Sequence, residues 1–223
     1  KILSCFNKSN TGEAHVFLES FISCKVIIQA IKDWFIIRKI GSKLRNSLLQ
    51  DDFLLQAMLD DWNKSFYGID AITNCLNLNL FIAAMGSASN QKLGLYLQEN
   101  QSWEMGLIYS WRKFNHSEIV GVPHSTTRFW DLRYAHDDRI HEKRSKNCYP
   151  KPNYIAVNGE AQKNYFKGIY YPDSELKLVE ALRFLHLENK KNSAASLNDR
   201  PSNESILILG DYLMENNEQL IEM

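Results

Sequence analysis

Two titratable side chains stand directly after short apolar runs of the sequence. Glu99 comes two residues after the run 93–97, and His124 follows Pro123 at the end of the run 118–122. A carboxylate or an imidazole in such a position can act as a general base toward a hydroxyl group. The sequence therefore predicts Glu99 and His124 as catalytic candidates. Each has a structural alternative: Glu99 as a carboxylate at a helix start, and His124 as a hydrogen-bonding residue.

Side chains suited to anions or sugars follow in the same segments. Arg128 and Arg133 can hold a phosphate or carboxylate through two parallel hydrogen bonds, although an internal ion pair with Asp131 competes with that role. Trp130 either stacks on a sugar ring or packs in the core. The further polar candidates for substrate binding are Asn100, Gln101, Ser125, Thr126, Asp131, Asn158 and Gly159.

The elements that must position these residues alternate in type from residue 93 onward. Short apolar runs predict buried strands at 93–97, 118–122 and 154–157. Helical patterns follow at 102–114, at 160–167 and from about 173, with Leu178, Leu182 and Leu185 on the inner face of the last. This order is typical of a parallel sheet with helices packed on it, a Rossmann-like α/β fold. Because ligands bind beyond the carboxyl ends of such strands, the candidates should converge on one edge of the sheet.

The first ninety residues predict helices. Residues at three- and four-residue steps share one helix face: Phe17, Phe21, Cys24, Ile28, Ile31 and Phe35. A break or kink is predicted at Gly41-Ser42, and further helices at about 51–66 and 71–85. The uncharged stretch 71–91 contains Asn74, Asn77 and Asn79, which favours a buried helix over a membrane span because amides are poorly satisfied in lipid.

Composition limits the class of protein. The 223 residues carry no formal net charge, which argues against a dedicated nucleic-acid binder. Four widely spaced cysteines predict free thiols in a reducing, cytoplasmic compartment. Three pairs of adjacent aspartates have no third ligand at a suitable spacing, so no metal site is predicted. They are Asp51-Asp52, Asp60-Asp61 and Asp137-Asp138. No phosphate-binding glycine loop and no zinc-protease motif occurs.

Two polar segments interrupt the pattern. Residues 139–151 hold five basic side chains and one acidic, and they predict either a solvated loop or a contact with an anionic lipid carrier or a membrane surface. Residues 189–204 predict an exposed linker. An apolar run and a helical pattern follow at 205–223, which predict the first βα unit of a second domain or an extra strand and helix of the first.

Three strings of the α/β region resemble glycosyltransferases of bacterial surface-carbohydrate gene clusters. They are YLQENQSWE at 96–104, GVPHST at 121–126 and RFWDLRY at 128–134. The strings IAVNG at 155–159 and VEALR at 179–183 are similar to the closing part of the amino-terminal domain of those enzymes. The resemblance covers about 93–187, whereas the helical half and the end of the chain match only in outline.

The resemblance implies a two-domain GT-B fold, of which this chain would be a fragment. Residues 1–188 would form the amino-terminal, acceptor-side domain, and the donor-nucleotide domain would begin after the linker. The implied activity moves a sugar from a nucleotide-sugar donor to a surface-glycan or lipid-linked acceptor, without a cofactor, in the cytoplasm or at the inner face of the membrane. Alternatives are a nucleotide-sugar epimerase, a polyol-phosphate transferase and a non-catalytic sugar-binding module. The oligomeric state is left open.

Overall fold

The computed structural model describes residues 7, 14–48, 52–123, 127, 131–136 and 149–180. The chain divides into two units, Lys1–Glu180 and Ala181–Met223, and every described residue belongs to the first. The predicted linker at 189–204 and the predicted βα unit at 205–223 therefore lie outside the described residues. The first unit has a helical half followed by an α/β half.

Three α-helices form the helical half: α1 (Cys24–Leu48), α2 (Asp52–Phe66) and α3 (Ile69–Ser87). A short 3-10 helix, Leu18–Phe21, precedes them. Of the break or kink predicted at Gly41-Ser42, the break is wrong, because α1 runs through these residues. Gly41 instead permits close packing of α1 against α2, since a Cβ there would lie 2.6 Å from the ring of Phe66.

The apolar face that the periodicity of α1 identifies is not the buried one. Ile28, Ile31 and Phe35 are exposed, whereas Val26 and Ala30 are buried. Small side chains let helix backbones approach closely, so α1 packs through the side that carries Ala30 and Gly41. The larger apolar side chains remain on the outside.

The third helix packs inside the helical half. It contacts α1 and α2 and buries Ala71, Cys75, Leu80 and Ala84. By length and composition α3 is the one described helix that is long and apolar enough to cross a membrane. Two of its asparagines nevertheless have protein partners: the Asn79 amide donates to the Asp33 carboxylate at 2.7 Å, and the Asn74 side-chain oxygen accepts from the Ser102 hydroxyl at 2.7 Å.

The α/β half contains one sheet of four parallel strands in the order β1-β2-β3-β4. The strands are β1 (Leu93–Gln98), β2 (Glu118–Pro123), β3 (Tyr154–Val157) and β4 (Leu176–Leu178). Helix α4 (Ser102–Lys113) joins β1 to β2, and α5 (Glu160–Gly168) joins β3 to β4. The structure confirms the predicted α/β class with a parallel sheet and is consistent with a Rossmann-like fold.

Both connecting helices lie on the same face of the sheet. Trp111 of α4 packs on Tyr96 and Ile119, and Phe166 of α5 packs on Ile155 and Val157. The register Tyr96↔Gly121↔Ile155 places these positions of β1, β2 and β3 on one side of the sheet. Right-handed connections between successive strands of such an order put every helix on one side.

The opposite face of β1 is exposed, so the prediction of a strand buried on both sides is wrong for β1. Leu93, Leu95 and Leu97 alternate with buried Tyr96 and Gln98, and Leu95 is 68% exposed. No described helix covers this side, because α4 and α5 share the other one. An alternating strand of this kind buries only every second residue.

The chain near residue 173 differs from the prediction. The helix expected there, with Leu178 on its inner face, is a 3-10 helix at Asp173–Glu175 that leads directly into β4. Lys163 and Lys167 of α5 pair with Asp173 at 3.1 and 2.6 Å, which fixes this turn beside α5. Leu182 and Leu185 lie outside the described residues.

Candidate functional site at the sheet edge

The carboxyl end of β1 continues into α4 through a loop that Glu104 organises. One carboxylate oxygen of Glu104 accepts the backbone N–H of Glu99 at 2.8 Å and that of Gln101 at 2.7 Å. Asn100 lies between them with a left-handed φ of 60°, which Asn tolerates better than most residues. Glu99 is half-buried and Asn100 exposed at this edge.

Glu104 is a structural residue in the first turn of α4. Its side chain is buried, and burial raises the pKa of the carboxyl, while the backbone N–H groups of Gln101 and Glu99 oppose that shift. The hydrogen bonds that Glu104 accepts occupy two N–H groups at the start of α4. An anionic ligand would compete with Glu104 for these two donors.

The segment 131–136 returns to the end of β1. The hydroxyl of Tyr134 donates to the carbonyl oxygen of Gln98 at 3.0 Å, and the hydroxyl of Tyr165 in α5 donates to the carbonyl oxygen of Asp131. Tyr134 is buried, and burial raises its pKa to about 12. It therefore stays protonated and holds this segment between β1 and α5.

Arg133 and Asp131 form the ion pair that the sequence offered as an alternative. The guanidinium donates through Nε at 2.8 Å and through one terminal nitrogen at 2.6 Å. The hydrogen bonds that Arg133 donates to Asp131 raise the pKa of the guanidinium.

The carboxyl end of β3 lies beside the same loop. The backbone N–H of Asn158 donates to the Gln162 side chain at 2.7 Å, and the Gln162 amide donates to the Thr127 hydroxyl at 3.0 Å. Gly159 has extended backbone and open space around its Cβ position. Nothing in the described residues requires glycine there, and Asn158-Gly159 forms the turn from β3 into α5.

The structure thus brings together the described candidates that follow β1, β2 and β3. We call this region the carboxyl rim: Glu99, Asn100, Asp131, Arg133 and Asn158, with Gln101 and Gly159 adjoining. The remaining candidates lie outside the described residues: His124, Ser125, Thr126, Arg128 and Trp130. Among the described strands the order does not reverse, so no switch point of the sheet is found there. The rim is identified by its place beyond the carboxyl ends of the strands.

Sequence reasoning missed a group of buried polar residues beneath the rim. Gln98, Tyr96, His136 and Tyr149 line a cavity of about 20 Å³, which has room for one water molecule. The side-chain amide oxygen of Gln98, Oε1, is buried there without a hydrogen-bond donor from a described residue. Period-two alternation along β1 would have indicated Tyr96 and Gln98, because they share the inward side with Gly94.

The larger cavities lie away from the rim. Two adjoining grooves of about 330 and 770 Å³ run between α1 and α4 over α3. Asp33, Leu78 and Tyr109 line both. The Asp33 carboxylate accepts amides from Gln29 at 2.8 Å and Asn79 at 2.7 Å, so its oxygens are already hydrogen-bonded within the helical half.

Two further predictions concern the basic segment 139–151 and metal binding. Lys151, the last basic residue of 139–151, pairs with Glu175 at 2.6 Å, while residues 139–148 lie outside the described part of the chain. Within the described ranges no three His, Cys, Asp or Glu side chains are close enough to share a metal ion. Cys24 and Cys75 are free thiols.

Comparison with known proteins identifies no relative. No protein-family model, no curated protein and no solved structure matches the chain.

Proposed function

We propose that this chain is the acceptor-side domain of a glycosyltransferase of bacterial surface-carbohydrate synthesis. It would move a sugar from a nucleotide-sugar donor to a surface-glycan or lipid-linked acceptor. The observation that supports the proposal is the carboxyl rim, where Glu99, the Asp131–Arg133 pair and Asn158 follow three different strands of one parallel sheet. Enzymes with open parallel sheets bind their ligands at this edge.

Glu99 is the proposed general base. Its carboxylate would take the proton of the acceptor hydroxyl as that oxygen bonds to the anomeric carbon of the donor. The bond from the anomeric carbon to the diphosphate breaks, and its electron pair leaves with the nucleoside diphosphate. Glu99 is half-buried and follows β1 directly, so it is close to the edge without being sealed in the core. His124 remains a second candidate for the same role.

The leaving diphosphate requires positive charge or backbone donors. Arg133 supplies a guanidinium at the rim, with 42% of its side chain exposed. Asp131 holds it by two hydrogen bonds, so Arg133 would contact a phosphate only through its outward side. Arg128 is the other proposed phosphate ligand, and Asn100, Ser125, Thr126, Trp130 and Asn158 are proposed to bind sugar hydroxyls or a sugar face.

The experiment compares two glutamates at opposite edges of the sheet. Glu118 begins β2 at the amino edge and is exposed, so Glu118→Gln is a matched control for Glu99→Gln. The full-length protein is assayed for sugar transfer from UDP-, GDP-, CMP- and TDP-sugars. We expect Glu99→Gln to lower kcat about 10²- to 10⁴-fold, as loss of a general base does, while Glu118→Gln retains wild-type turnover.

Other outcomes identify the alternatives. Turnover retained in Glu99→Gln removes Glu99 from the catalytic role and leaves His124→Ala as the next variant. Interconversion of the donor sugar without an acceptor would indicate an epimerase, and transfer of a polyol phosphate would indicate that class of transferase. Binding of a nucleotide sugar without any turnover would indicate a non-catalytic module. No binding and no turnover with any donor contradicts the proposal.

A further inference from the structure

Helix α1 exposes an apolar surface along most of its length. Its exposed large apolar residues are Ile27, Ile28, Ile31, Phe35, Ile36, Ile40 and Leu44. Phe35 is 58% exposed, although Phe is among the residues most often found inside proteins. The buried side of α1 is already packed against α2 and α3. Three of these residues, Ile28, Ile31 and Phe35, lie opposite buried Val26 and Ala30 on the helix, so this side of α1 presents a second apolar surface.

Exposed apolar side chains also occur in the residues before the helix. Val16 and Phe17 are each 61% exposed and Ile22 is 49% exposed. These residues flank the 3-10 helix Leu18–Phe21, which contacts α3. Contiguous exposed apolar patches of this kind mark interaction sites for proteins or membranes.

Basic side chains follow the same side of α1. Lys25, Lys32 and Lys39 repeat every seven residues, and Lys43 comes one turn later, so all four share one side of the helix. All four are exposed. We call the surface formed by these lysines with Ile28, Ile31 and Phe35 the outer face of α1.

Nearly all the charged residues of α1 are basic. The helix holds six basic residues and one acidic residue, Asp33. Asp33 is turned inward, since its carboxylate accepts hydrogen bonds from Gln29 and from Asn79 of α3. The outer face is therefore basic, although the whole chain has no formal net charge.

The apolar and basic character of the outer face of α1 distinguishes between possible binding partners. A second copy of α1 would bring lysines against lysines, and like charges across an interface oppose association. An anionic bilayer matches both features, because apolar side chains enter the interfacial region while long lysine side chains reach lipid phosphates. The outer face extends from Lys25 to Lys43, which is about 27 Å along the helix and suits an extended flat surface.

We infer that the outer face of α1 docks on an anionic membrane surface, with the helix axis in the plane of the bilayer. Ile28, Ile31 and Phe35 insert at the level of the headgroups, and Lys32 and Lys39 bind lipid phosphates. This inference is independent of the proposed sugar transfer. It also assigns the contact to a different segment from the basic residues at 139–151.

The test measures co-sedimentation of the full chain with vesicles of phosphatidylcholine, with or without one-third phosphatidylglycerol. Three double variants are compared. Ile31→Gln with Phe35→Gln removes apolar side chains, and Lys32→Gln with Lys39→Gln removes charge. Leu93→Gln with Leu95→Gln is the matched control, because both leucines are exposed on the free face of the sheet.

We expect the wild type and the leucine control to bind anionic vesicles and not neutral ones. Loss of two lysines should weaken partitioning about 30-fold, and loss of the two apolar side chains at least about tenfold. Added salt should weaken binding, since it screens exposed charges. Circular dichroism should show unchanged folding, because all the substituted side chains are exposed.

Several results would overturn the inference. Equal binding to neutral and anionic vesicles, wild-type binding by both α1 variants, or no vesicle binding by the wild type each contradict it. In the last case sedimentation velocity decides the occupant: a dimer that Ile31→Gln with Phe35→Gln dissociates would assign the outer face of α1 to a second copy. Binding lost only in the leucine control would move the contact to the sheet.

Discussion

Helices α4 and α1 carry apolar residues at the same helical spacing, and the structure treats them in opposite ways. In α4 the stripe is buried, with Ile108 and Trp111 packed on the sheet. In α1 the stripe that contains Ile31 and Phe35 is exposed. The difference comes from connection: α4 joins two paired strands and is held on their sheet, whereas α1 packs through its small residues. Periodicity identifies an apolar face, and the chain connections decide what covers it.

Substitution of Trp111 in α4 and of Phe35 in α1 tests this comparison directly. Trp111→Ala should lower the free energy of unfolding by about 3–5 kcal/mol, because it leaves a cavity under α4 and removes the hydrogen bond that Trp111 donates to the Ser117 carbonyl at 2.9 Å. Phe35→Ala should change it by less than about 0.5 kcal/mol, as exposed substitutions usually do. Urea unfolding of both variants provides the measurement, and similar losses would show that the outer face of α1 is covered within the chain.

The loop between β1 and α4 is held by hydrogen bonds to the Glu104 side chain. Glu104→Ala should cost about 2–4 kcal/mol, because two backbone N–H groups lose a charged acceptor. Glu104→Gln keeps an oxygen at the same place and should cost much less. Unfolding of the two variants beside the wild type checks this, and equal losses would mean that the hydrogen bonds contribute little.

The pH dependence of Glu104 has a defined sign. Burial raises its folded pKa above the usual 4.5, so the folded protein binds the proton of Glu104 more tightly than the unfolded chain does. The resulting stability is fully present below the unfolded pKa and is lost as the pH rises through the raised folded value. The difference in unfolding free energy between wild type and Glu104→Gln should therefore shift in favour of the Gln variant over that window. A constant difference across it would contradict the raised pKa.

A pair of glycines gives a smaller contrast within the sheet half. Gly94→Ala would place a Cβ 2.7 Å from the Trp111 ring, and such overpacking costs about 1–3 kcal/mol. Gly159→Ala meets nothing within 4 Å and should leave the thermal midpoint unchanged. Equal midpoints in the two variants would show that α4 is not closely packed on β1.

The smallest expected effect concerns the loop of the carboxyl rim. Tyr134→Phe removes the hydrogen bond to the Gln98 carbonyl and should cost about 1 kcal/mol. If this bond fixes the Asp131–Arg133 pair at the carboxyl rim, sugar transfer should also decrease while Glu118→Gln leaves transfer intact. Kinetics of the two variants, with unfolding as the control, separate the effect on the rim from that on the core.

Much of the fold follows from local pattern. The strands at 93–98, 118–123 and 154–157 and the helices at 102–113 and 160–168 agree with the apolar runs and helical stripes of the sequence. The fourth strand did not, because Leu176–Leu178 is too short to show a period of its own. Its pairing with β3 identifies it, and pairing is a long-range contact.

The residues of the site also divide into those that the local pattern predicted and those that only the folded chain identifies. The strand-end rule indicated Glu99, Asn100 and Asn158 because each directly follows an apolar run. It did not indicate Tyr134, whose hydrogen bond to Gln98 joins residues 36 positions apart. It also left the role of Arg133 open, since only the folded loop shows both hydrogen bonds to Asp131.

The sequence by itself determined the alternation of strands and helices, the apolar face of each helix and the polar residues at strand ends, because these depend on periods of two and about 3.6 residues. Only the tertiary structure decided that α4 and α5 share one face of the sheet, that β1 has an exposed side and that α1 turns Phe35 outward. The physical reason is that burial depends on which partner a face meets, and small residues such as Ala30 and Gly41 set that approach from a distance in the chain.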